Sequence, residues 1–128
     1  MDTTRDLSLE EIEHDKWGEP PSDATRLIAT VYNLRRKPIG SLTPEDMRLL
    51  ISQGVGLEAL MPQVLAQLEQ DALLEGDFYP GDVLAAVLRC PPAYWAAHPP
   101  LRAKAASIAA RVARADTELA AAIHAFSN

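Results

Sequence analysis

Leu27, Ile28, Val31 and Leu34 recur at intervals of three and four, the spacing that lays apolar side chains along one face of an α-helix. The interval returns in Met47, Leu50 and Ile51, and again in Leu57, Leu60, Met61, Val64, Leu65 and Leu68. Local signals bound these stretches. Ser8 and Glu11 form a capping box that opens a short helix through His14 or Asp15. WGEPPSD interrupts it, because Pro20 and Pro21 lack amide hydrogens. A second helix is expected from Ser22 or Asp23, ending at RRKP. Thr43-Pro44-Glu45-Asp46 places a hydroxyl at an N-cap, a proline at the first helical position and acids in the first turn. Gly54 is a natural helix end, Gly54-Val55-Gly56 a tight corner, and Pro62 marks either a kink or a helix start.

Downstream, Gly76, Pro80 and Gly81 predict turns, with Asp82 capping a helix from Val83 to Arg89. Prolines bracket the short AYWAA turn that follows. Leu101, Ala105, Ile108, Val112, Ala115, Leu119, Ala122 and Phe126 then keep a seven-residue pattern that predicts one long helix. No strand alternation occurs. The fold class is all-α: a single compact domain of six to seven helices with short Gly/Pro-rich connections. Residues 1–21 read as a loosely attached acidic arm with one short helix, and residues 22–128 as the helical domain.

At 128 residues, 48% of them apolar, the chain can bury one ordinary core without disulfides or metals. Aromatic residues are only 5%, so leucine and alanine do the filling, as close helix packing allows. No apolar run approaches the ~20 residues needed to cross a bilayer, and DTTRDLSLEEIEHDK is no signal peptide. Cys90 stands alone, which fits a reducing cytoplasm.

The net charge of −6 is unevenly spread. Between Arg48 and Arg89 there is no Lys or Arg, while Glu58, Glu69, Asp71, Glu75, Asp77 and Asp82 fall in that stretch. Such a surface repels nucleic acid and speeds encounter with a basic protein. Solubility alone is the competing explanation for the acidity.

No catalytic chemistry emerges. His14, His98 and His124 are far apart, no metal-ligand spacing occurs, and no cofactor is implied. Cys90, before two prolines, suits core packing better than nucleophilic attack. Phosphate-loop, dinucleotide and hydrolase-elbow motifs are missing. Glu75 and Asp77 flank a turn, where carboxylates stay solvated. Phe78 and Trp95 suit gap-filling, whereas Tyr79 suits packing or an interface anchor equally.

Residues 34–92 resemble an α-helical family of immunity proteins from contact-dependent growth inhibition (CDI) systems. The resemblance is carried by Leu34-Arg35-Arg36-Lys37-Pro38, Leu42-Thr43-Pro44-Glu45-Asp46 with Arg48-Leu49-Leu50, Gly54-Val55-Gly56-Leu57, and Glu75-Gly76-Asp77-Phe78-Tyr79-Pro80-Gly81-Asp82. The first 25 residues and the last helix match only in character. The resemblance implies a non-catalytic cytoplasmic protein that binds the C-terminal toxin domain of its cognate secreted effector, one-to-one. Such toxins are often nucleases with basic grooves, which agrees with the acidic stretch. Glu69, Asp71, Glu75, Asp77, Tyr79 and Asp82 are the candidate toxin-binding residues. The alternative is a structural adaptor that self-associates through the C-terminal helix.

Overall fold

The computed structural model describes residues 4–112 and 117–127. Eight α-helices occur among them: α1 (Leu9–Glu13), α2 (Arg26–Leu34), α3 (Pro44–Ser52), α4 (Leu57–Gln70), α5 (Asp82–Leu88), α6 (Pro92–Ala97), α7 (Pro99–Ala110) and α8 (Thr117–Ser127). Two short 3-10 turns, Thr4–Asp6 and Ile39–Ser41, complete the described elements, and no strand is among them. The all-α expectation holds, with one helix more than anticipated.

Capping explains the better-defined ends. Thr43 Oγ1 accepts from Asp46 N–H at 3.1 Å while Asp46 Oδ2 accepts from Thr43 N–H at 3.0 Å, satisfying two donors that a helix start leaves open. The other end of α3 closes through Gly54 N–H to Ile51 O and Val55 N–H to Leu50 O. Gly54 adopts φ +71 to make this possible. α4 begins directly at Leu57 and runs through Pro62. Pro62 is exposed, so water can serve the Glu58 carbonyl that the ring leaves unpaired. α2 starts three residues later than Ser22–Asp23, because Thr25 supplies the capping hydroxyl to Ile28 N–H.

Every residue of α5 is buried, and this short helix packs against α3, α7 and α8. With α3 and α7, helices α4 and α6 contribute Met47, Leu50, Ile51, Leu60, Val64, Leu65, Leu68, Trp95 and Ile108 to the same core.

The C-terminal segment departs from the single long helix. α7 ends at Ala110, Arg111 and Val112 form a turn, and α8 is a separate helix; Ala115 lies outside the described residues. Arg102 Nη2 donates to Phe126 O at 3.5 Å. A continuous helix would hold those residues ~36 Å apart at 1.5 Å per residue, so α8 folds back beside α7. Ala105, Ile108, Leu119, Ala122 and Phe126 are buried in the protein's own core. The heptad-like spacing behind the adaptor reading is thus spent on packing within the protein.

The N-terminal arm is also docked, its first turn included: Arg5 donates to the Gly40 carbonyl at 3.4 Å. Leu9 is fully buried against Gly56, whose absent Cβ would stand 2.7 Å from Leu9 Cδ1. Backbone bonds tie the arm to the segment after α2: Ile39 N–H to Leu7 O at 2.9 Å and Glu10 N–H to Arg35 O at 3.1 Å. Arg35 is fully buried and donates to Glu13 Oε1 at 2.6 Å and to the Asp15 carbonyl at 3.0 Å. Trp17 lies over its guanidinium, 4.0 Å from ring centroid to Cζ.

Candidate functional site

The segment Glu75–Asp82 is short, exposed at its tip and unusually well held. Gly81 at φ +92 turns the chain into α5, and Asp82 occupies the first helical position. Its carboxylate points back into the loop: Oδ1 accepts from Gly76 N–H at 2.6 Å, and Oδ2 accepts from Phe78 N–H at 3.0 Å and Tyr79 N–H at 3.5 Å. Asp82 is 3% exposed. It therefore organises the loop from inside, and its place on a binding rim is corrected accordingly.

A second carboxylate clamps the loop from α3. Glu45 receives Arg48 Nε at 2.7 Å and Arg48 Nη2 at 2.6 Å in a forked pair. The same Glu45 Oε1 accepts Asp77 N–H at 2.9 Å. Hydrogen bonding from Arg48 holds the Glu45 carboxyl below its usual range, with the Asp77 amide adding to the effect against partial burial. Glu45 in turn raises the Arg48 guanidinium. Gly76 leaves room for this clamp: a Cβ would stand 2.5 Å from Glu45 Oε1 and 3.1 Å from Asp82 Oδ2, so a larger residue would displace the Glu45 carboxylate.

This scaffold exposes Phe78, against the gap-filling expectation, and packs Tyr79, for which packing and an interface anchor stand equal in the sequence. Tyr79 is half-buried and packs on the core. Phe78 is 68% exposed, with Arg48 Cζ 4.6 Å from its ring centroid. Only one of two adjacent side chains in a tight loop can face inward, and nothing in Phe-Tyr announces which. The contribution of Glu45 was equally silent, since it lies 32 residues from the amide it binds. Beside Phe78 runs a cleft of about 600 Å³, lined also by Arg48, Ile51, Tyr79, Arg89 and Cys90. Burial pushes the Cys90 thiol up to about 11, which suits an inert packing residue.

The remaining acidic candidates divide. Glu75 and Asp77 are exposed on the loop, and neither carboxylate has a hydrogen bond or ion pair among the described residues. Asp71 is exposed at the end of α4, where Oδ1 accepts Leu73 N–H at 3.1 Å. Glu69 is brought against α7 instead: Lys104 Nζ lies 3.7 Å from Oε1, and Arg111 Nη1 donates to the Glu69 carbonyl at 2.7 Å. Glu58, elsewhere in the acidic stretch, lies 3.4 Å from His98 Nε2. Lys104 and Arg111 thus cover part of a stretch that contains no Lys or Arg of its own.

Among the described residues, no cluster of three or more His, Cys, Asp or Glu is placed to hold a metal ion. No described helix is long and apolar enough to cross a membrane.

No curated protein and no solved structure shows a significant match to the chain. The family model for CDI immunity proteins (CdiI_3) matches residues 11–105. That span includes the capped α3, the glycine corner and the clamped loop, and it reaches into the arm and into α7, beyond the motifs legible by eye. With well over half its length so matched, the chain belongs to the CDI immunity proteins.

Proposed function

We propose that this protein binds the C-terminal toxin domain of a cognate CDI effector one-to-one and neutralises it by occupation, without catalysis of its own. The toxin is inferred to be a nuclease, and the encounter to take place in the cytoplasm of the producing cell. Family membership over residues 11–105 carries this reading. Two outward carboxylates, Glu75 and Asp77, support the nuclease inference, because a groove built for phosphates is cationic and attracts them. Asp71 and Glu69 extend the acidic character toward the end of α4, with Glu69 partly neutralised by Lys104.

Co-expression with the toxin domain from the adjacent effector gene tests the proposal. The expected result is survival of the host together with recovery of a one-to-one complex. Survival with no complex in a pull-down overturns inhibition by binding, and death of the co-expressing host overturns immunity against that toxin.

A further inference from the structure

We propose that Phe78 is the principal anchor of the toxin-binding face, entering an apolar pocket of the toxin domain whose rim carries Lys or Arg side chains. This rests on the immunity reading above and names the surface through which it operates. Among the exposed large apolar side chains described, Phe78 stands apart at 68%; Leu73 follows at 42%. The ring is held, not loose. Asp82 fixes the amides of Gly76, Phe78 and Tyr79, Glu45 fixes that of Asp77, and Glu75 bridges to Pro80 across the loop base. Arg48 packs against one face of the ring while its own charge is matched by Glu45. A rigid exposed aromatic loses little conformational freedom on docking, and such residues dominate interface energetics.

Charge defines the occupant. Glu75 and Asp77 lie within three residues of Phe78 and form no ion pair among the described residues, although the Asp77 charge reaches Arg48. An aromatic flanked by carboxylates fits an apolar pocket with a cationic rim, and is repelled by an acidic one. The adjoining 600 Å³ cleft leaves room beside the ring for the wall of that pocket.

The test uses the full-length chain and a catalytically inactivated toxin domain from the adjacent effector gene, with binding kinetics and light scattering as readouts. Phe78→Ala is expected to weaken binding about thirty-fold or more, the scale of an interface anchor, chiefly through faster dissociation. Its thermal midpoint should stay near that of the unaltered protein, because the ring is exposed. The pair Glu75→Lys and Asp77→Lys should slow association at low salt, with the difference shrinking as salt rises. Tight binding by the unaltered chain, with Phe78→Ala within about threefold of it, overturns the anchor and leaves the immunity reading standing. No binding by the unaltered chain removes both. A homodimer abolished by Phe78→Ala, with toxin binding unchanged, makes a second copy the occupant and also overturns the proposal.

Discussion

Two acidic segments of this protein, the arm around Glu10–Glu19 and the loop Glu75–Asp82, look alike in composition and end in opposite surroundings. In the arm, Glu13 is paired to buried Arg35, Glu19 lies 3.5 Å from Arg36, and Glu10 approaches both guanidiniums. Arg36 also donates to the Gly18 carbonyl. The carboxylates there fasten the chain to itself. In the loop, the acid that is buried, Asp82, holds backbone amides, while Glu75 and Asp77 face water beside Phe78. The availability of a negative charge to a partner thus depends on which cations folding delivers, not on how many neighbours share its sign.

The largest effect should come from the arm. Arg35→Ala empties the site of a fully buried side chain and removes its bonds to Glu13 and to the Asp15 carbonyl; about 3–5 kcal/mol is expected, from the cavity together with the lost charged hydrogen bonds. Urea denaturation measures this. A loss under about 1 kcal/mol would mean that the arm contributes little to the fold. Next comes Asp82→Ala, which removes the acceptor for three loop amides. About 2–3 kcal/mol is expected, since hydrogen bonds to a charged group are worth roughly 1.5–3 each in net terms and the loop can relax. Hydrogen exchange at Gly76 and Phe78 should accelerate while exchange in α4 stays unchanged. Equal acceleration in both would show that Asp82 supports the core rather than the loop.

The smallest effect is one of pH. The Glu45 carboxyl is held below its usual value of 4.5 in the fold. A lowered carboxylate contributes stability that is fully present above the unfolded-state value and lost as pH falls through the folded one. Protection of the Asp77 amide, whose acceptor is Glu45, should therefore hold near neutrality and decline only below pH ~4.5. Glu45→Gln should remove that dependence. A decline beginning near pH 6 would place the controlling group elsewhere.

Much of the architecture is legible in the chain because its signals are local. Ser8 with Glu11, Thr43 with Asp46, and Gly54 through Gly56 each act within a few residues, and all three behave as their spacing foretells. The C-terminal pattern misleads for a definable reason. Val112 and Leu119 stand seven residues apart, so the apolar register is the same whether the helix continues or folds back. Periodicity records which face is buried but not against what. The arm misleads in another way: its prolines and charges suggest loose attachment, and Arg35 and Arg36, seventeen or more residues away, supply the counterparts.

By itself, the order of residues decided the helical class, the main caps and corners, and a surplus of acid, because these follow from neighbours along the backbone. Tertiary structure alone decided that Phe78 faces out and Tyr79 in, that Asp82 serves the loop, and that Lys104 covers Glu69. Those outcomes join residues far apart in the chain, where packing and charge pairing choose the partner and no local pattern carries the choice.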